Sequence, residues 1–129
     1  MLDKELTGLV LKCAFKVHSN LGPGLLESVY QHCLAYELSR AGLAIEMERP
    51  LPVIYEGVKL NCGYRLDLVV ENRLILEIKS VDGLAPIHFA QVLTYLKISG
   101  FELGLLLNFN VESMKNGIRR IVNNYQESR

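Results

Sequence analysis

The sequence has 129 residues, half of them hydrophobic and 22% charged. That is globular composition with enough apolar material for a core, and it excludes a disordered chain. Fourteen basic residues balance fourteen acidic ones, so the global charge points to neither a nucleic-acid nor a membrane partner; any nucleic-acid contact needs a local basic face.

The length fits one domain over residues 1–129. No apolar run approaches the roughly 20 residues that span a bilayer. The opening MLDKELTGLVLKCAFKVHSNLG is too charged and too periodic for a secretory signal and reads as a helix of the fold. Cys13, Cys33 and Cys62 are odd in number, lack CxxC spacing and sit among apolar neighbours. They read as reduced, small hydrophobic residues of a cytoplasmic protein.

Leu6, Leu9, Val10, Cys13, Ala14 and Val17 recur at helical spacing, which predicts a first helix ending near Asn20, broken by Gly22-Pro23-Gly24. A second helix is predicted from Leu25 to Arg40, with Leu26, Val29, Tyr30, Cys33 and Leu34 as its apolar stripe and Gly42 at its end. Extended stretches follow at Leu43–Glu46 and Leu51–Tyr55, and Glu56-Gly57 reads as a turn into Val58–Asn61. GYRLDLVVENRLILEIKS reads as two strands and a tight connection. Alternation sets Arg65, Asp67 and Val69 on one face of the first and Tyr64, Leu66, Leu68 and Val70 on the other; Ile75, Glu77 and Lys79 share a face of the second. HFAQVLTYLKIS predicts a third helix with Phe89, Val92, Leu93 and Leu96 inward, and ELGLLLNFN a strand covered on both faces. The tail, Val111 to Arg129, reads either as a helical turn plus a strand or as mostly helix. Strands in the middle with helices around them predict a mixed sheet flanked by helices, in the α/β or α+β class.

The chemistry concentrates in Asp67, Glu77 and Lys79. A three-residue loop, Glu71-Asn72-Arg73, would pair Asp67 with Glu77 and Arg65 with Lys79 and sort the charges onto one face. Asn72 or Arg73 would then take the left-handed position, Asn72 the more easily. Two facing carboxylates repel unless a positive charge lies between them. One reading is a divalent cation, with Mg²⁺ suited to a few carboxylate oxygens plus waters and Lys79 set to orient or deprotonate a water, a layout for metal-assisted phosphodiester hydrolysis. The other is a cross-strand ion-pair cluster in which Lys79 and Arg65 neutralise the two acids. Spacing alone leaves both open.

Asp67 … Glu77-Ile78-Lys79 resembles the D…(D/E)xK signature of the PD-(D/E)xK nuclease superfamily. Gly24-Leu25-Leu26-Glu27-Ser28-Val29-Tyr30 matches the GxxExxY pattern of a family of small bacterial and archaeal proteins placed in that superfamily. GYRLDLVV, LEIKSV, AQVLTYLK and GLLLNFNV are similar to that family's blocks, in order, over about residues 5 to 123. The resemblance implies a restriction-endonuclease-like fold, with Asp67 and Glu77 as core metal ligands, Lys79 as the catalytic lysine and Glu27 as a helix-borne acid completing the site for Mg²⁺ or Mn²⁺. Gln91-Val92-Leu93-Thr94-Tyr95 is similar to the QxxxY motif of RecB-like nucleases, which implies that Gln91 and Tyr95 help position DNA. The superfamily's Pro-Asp dipeptide is absent, since Leu66 precedes Asp67.

On a helical wheel Glu27 falls at the edge of the second helix's stripe, where an acid can reach a neighbouring site or serve the helix dipole from the first turn. Glu37 lies nearer the middle of that stripe and needs a basic partner across the packing surface. Gln91 and Tyr95, four apart, share one face of the third helix. His88 reads as a helix-end residue, and His18 and His32 lack zinc-like spacing. Lys115, Arg119 and Arg120 make a small basic cluster. The functional expectation is a metal-dependent nuclease acting on DNA, with a homodimer compatible. Its rival, from the neutral charge and small size, is a non-catalytic nucleic-acid-binding or adaptor module on the same fold.

Overall fold

The computed structural model describes residues 1–126. Two helices open the chain, α1 (Asp3–Leu21) and α2 (Glu27–Arg40), followed by β1 (Ile45–Pro50), β2 (Val53–Tyr55), β3 (Val58–Leu60), β4 (Arg65–Val70) and β5 (Leu74–Lys79). Helix α3 (Pro86–Ser99) leads into β6 (Leu103–Asn108), a 3-10 turn (Met114–Gly117) and β7 (Ile118–Val122). The tail therefore takes the first of its two expected forms, a helical turn plus a strand; residues 127–129 of the predicted tail lie outside the described residues.

The main sheet has the order β1-β4-β5-β6-β7, and β2-β3 forms a separate two-stranded hairpin. Only β5 and β6 run parallel, and helix α3 makes the crossover that a parallel pair requires. Helices α1 and α2 cover one face: Leu6, Val10, Val17, Leu34 and Leu38 pack on Leu68, Leu74, Leu76, Ile78, Leu105 and Phe109. Helix α3 covers the other, with Tyr95 and Leu96 against Val69 and Ile75. Strand β6 is buried at every position, as its continuous apolar run predicts.

Three local expectations need correction. The stripe of α2 is turned: Tyr30, Gln31, Leu34, Ala35 and Leu38 are buried, while Leu26 and Val29 are exposed. The rotation is set by Gln31, whose Nε2 reaches Glu48 Oε1 at 2.8 Å and the Asp67 carbonyl at 3.0 Å. The first strand is displaced to Ile45–Pro50, paired with β4 from Ile45↔Val70 to Pro50↔Arg65. Leu66 and Leu68, expected on one face, lie in different cores, so β4 turns over at Asp67.

The β4–β5 register is the expected one, Val70↔Leu74 to Leu68↔Leu76, around a three-residue loop. The left-handed residues are Glu71 (φ 54) and Asn72 (φ 50), not Arg73. Glu71 is held there by Ala44, which donates its N–H to Glu71 Oε2 at 2.6 Å and accepts from Glu71 N at 2.8 Å. Arg73 instead turns to Asp3 and the Met1 carbonyl, fastening the start of α1 to the hairpin. Glu37 finds the partner its position demands, with Lys16 Nζ 3.1 Å away.

Candidate active site

The site forms where β4 and β5 part. Beyond Leu68↔Leu76 the ladder stops, and Asp67 Oδ2 accepts the Ile78 N–H at 2.8 Å in place of a backbone carbonyl. That bond holds the Asp67 carboxylate beside β5, directly opposite Glu77 in the register. Glu77 is only 6% exposed, an unusual place for an acid unless it is paired.

The two carboxyl groups hydrogen-bond one another, which requires a proton between them. Burial, then the charge of Asp67, pushes the Glu77 carboxyl up to about 8. Burial also raises Asp67, with Glu48 adding to the rise. Two acids 10 residues apart in sequence thus share one proton, as like charges in a confined site must. Lys79 Nζ lies 3.3 Å from Glu77 Oε2 and donates to Gln91 Oε1 at 2.9 Å. Gln91 also hydrogen-bonds Tyr95, whose hydroxyl is pushed up to about 12, first by burial and then by Glu77. Tyr95 is therefore a neutral donor. Lys79, Gln91 and Tyr95 form a chain from the sheet to α3, which brings together the QxxxY-like pair and the acid-lysine strand.

Arg65 does not take the part the ion-pair reading assigned to it. It is exposed and, among the described residues, pairs with neither acid. One lysine faces a buried and a half-buried carboxyl, so the pair is short of positive charge.

Glu27, the first residue of α2, is exposed, and its Oε2 accepts the Ser80 N–H at 3.2 Å. Ser80 Oγ donates to the Leu25 carbonyl at 2.6 Å. These bonds stitch the helix start to the end of β5, next to Lys79. Among the described residues no three His, Cys, Asp or Glu side chains are grouped to hold a metal, so Glu27 is not gathered with Asp67 and Glu77 into one ligand set. The donor set of Asp67 and Glu77, two hard oxygen ligands with only Lys79 as counter-charge, fits a divalent cation that retains waters.

Tyr30 explains the aromatic in GLLESVY. Fully buried, it stacks on Phe109 with ring centroids 4.7 Å apart. Its hydroxyl donates to the Gly22 carbonyl at 2.6 Å and accepts from Leu25 N at 3.1 Å. It braces the turn that delivers Glu27, in which Gly22 (φ 68) and Gly24 (φ 98) take conformations open to glycine.

Gln31 and Glu48 were not legible as site residues. Glu48 adopts φ 54 inside a strand, opposite Asp67, and the Gln31 amide ties it to the Asp67 carbonyl. Gln31 did carry a signal, since Glu27, Gln31, Leu34 and Leu38 follow helical spacing. The histidines stay outside the site. His88 Nδ1 accepts the Ala85 N–H at 2.9 Å, His18 Nε2 lies 2.7 Å from the Val111 carbonyl and His32 Nδ1 2.7 Å from the Ser28 carbonyl. Two members of the basic cluster are engaged locally: Arg119 bonds the carbonyls of Asn116 and Ile118, and Arg120 lies over the Tyr125 ring.

A mixed five-stranded sheet between helices, with an acid pair and a lysine where two central strands part, defines a restriction-endonuclease-like α+β protein. The family model described as PD-(D/E)XK nuclease superfamily matches residues 4–121, and the chain belongs to that superfamily. Its nucleases generally use divalent metal ions. A comparison with curated proteins finds no match, and one with solved structures finds none. No helix among the described residues is long and apolar enough to cross a membrane.

Proposed function

We propose that this chain is a GxxExxY-type, RecB-like nuclease that hydrolyses DNA phosphodiester bonds, with Mg²⁺ or Mn²⁺ held by Asp67 and Glu77. The observation that carries the reading is the meeting of half-buried Asp67 and buried Glu77 where β4 and β5 part, with Lys79 Nζ 3.3 Å from Glu77 Oε2. A bound ion would supply charge stabilisation and a more acidic water. Lys79 holds the position from which an ammonium can orient the attacking water or steady charge on the phosphate. Gln91 fixes the lysine, and Tyr95 offers a neutral hydroxyl to a phosphate oxygen or a ligand water. Glu27 supports the strand end by accepting the Ser80 N–H on Oε2, and its second carboxylate oxygen is the one that would turn to the ion, directly or through a water. The free state of Cys13, Cys33 and Cys62 accords with work in a reducing cytoplasm.

The test is a cleavage assay with Mg²⁺ and Mn²⁺ on single-stranded, duplex and branched DNA. Lys79→Ala should lower the rate by roughly 10²–10⁴-fold, the range for a positioned proton-transfer group, and Asp67→Ala should abolish metal binding. Unchanged cleavage in both variants refutes the residue roles. Silence of the folded wild type on every substrate favours the second reading, a non-catalytic nucleic-acid-binding or adaptor module, which the separation of Glu27 from the acid pair supports.

A further inference from the structure

A groove of about 430 Å³ opens beside the acid pair, between the β2-β3 end of the molecule and α3. Leu51, Val53, Tyr64, Ile87, Gln91 and Tyr95 line it. Its size falls within the roughly 300–1,000 Å³ of small-ligand sites. The lining is apolar and aromatic, with the amide of Gln91 and the hydroxyl of Thr94 as polar groups. The Tyr64 ring, 51% exposed, leans on Tyr95 at a centroid distance of 6.2 Å and an angle of 60°.

We infer that this groove seats one unpaired nucleobase, stacked on Tyr64, so that the strand engaged at Lys79 is single-stranded. The inference rests on the nucleic-acid reading above and specifies its substrate. Continuity supports it: Gln91 both lines the groove and accepts the Lys79 bond, so a strand with a phosphate at Lys79 carries a neighbouring nucleotide to the groove. The chemistry matches a flat ring with polar edges, which meets an aromatic face below and an amide and a hydroxyl at its rim. Charge points the same way. With equal numbers of basic and acidic residues, the chain cannot rely on neutralising many phosphates, and stacking supplies affinity without net charge. A base inside a duplex would first have to be unstacked at a cost of a few kcal/mol.

The chain has no tryptophan, so Tyr64→Trp installs a sole indole in the groove. In chelator, which withholds the metal and leaves Lys79 in place, titration with a short single strand of oligothymidylate should quench and shift its emission; a blunt duplex should not. Separately, Tyr64→Ala and the groove-filling Ala90→Phe should each weaken single-strand binding, Tyr64→Ala by roughly 5- to 150-fold, the equivalent of about 1–3 kcal/mol. Unchanged emission at saturating single strand, equal responses to duplex and single strand, or wild-type affinity in Tyr64→Ala overturns the inference. Cleavage without an indole response overturns the groove alone. An indole response in a protein that cuts nothing upholds the groove and overturns the hydrolase reading.

Discussion

Replacing Glu77 with Gln should remove a pH-dependent weakness from the metal-free protein. The folded state holds the Glu77 proton up to about pH 8, against an ordinary value of 4.5. Folded protein therefore binds more protons than unfolded protein between these values, and stability falls as pH rises through that window. The contribution is complete below about pH 4.5 and gone above about pH 8. At about 1.4 kcal/mol for each pH unit, the loss is on the order of 4–5 kcal/mol. Asp67, raised for the same cause, acts in the same direction. Glu77→Gln keeps the shape and a donor toward Asp67 but cannot ionise, so its stability should stay nearly level. Thermal unfolding across pH 5 to 9 in chelator checks this; at about 4 °C for each kcal/mol, the wild type should lose on the order of 15 °C relative to the variant. Mg²⁺ at about 100 times its Kd should then return about 2.7 kcal/mol to the wild type at high pH, and nothing comparable to Glu77→Gln. Parallel pH profiles for the two proteins would refute the shared proton and with it the argument that the pair lacks a cation.

Two further expectations concern the scaffold behind the site. Tyr30→Phe deletes a buried hydroxyl that serves both Gly22 and Leu25 and should cost about 1–3 kcal/mol in denaturant unfolding; since the turn carries Glu27, proteolysis at Gly22–Gly24 should also quicken, and an unchanged midpoint would contradict the bracing role. At Gly117 a Cβ would overlap the carbonyl oxygen of Asn108, so Gly117→Ala should destabilise by about 3 kcal/mol or more through a forced backbone shift, whereas Gly8→Ala, with open space around it, should be neutral or slightly stabilising by the same measurement.

Much of the molecule was readable from local pattern. The α1 stripe, the buried β6 run and the three-residue β4–β5 loop follow from periodicity and parity, which are properties of neighbouring residues; the α3 stripe does so only at Val92 and Leu96, because Tyr95 takes the buried place expected of the half-buried Phe89 and Leu93. The pairing of Asp67 with Glu77 belongs to that group, because a short loop leaves few registers. The turn of α2 did not, since its inward face is decided by what it meets: the Gln31 amide serves Asp67 and Glu48 from strands 36 and 17 residues away. Arg65 and Arg73 were equally unreadable as partners, because a long side chain takes whichever acceptor the fold brings near.

Sequence alone determined the acid pair, its lysine and the Gln91–Tyr95 helix face, since alternation and helical spacing place such residues without reference to the rest of the chain. Tertiary structure decided the remainder. It set Glu27 on Ser80 rather than on the pair, placed Glu48 across from Asp67 from a strand separated by a whole hairpin, and made Tyr30 a brace. Each of these depends on the closing of long loops, whose outcome is settled by the packing of both sheet faces together and is not encoded in any local spacing.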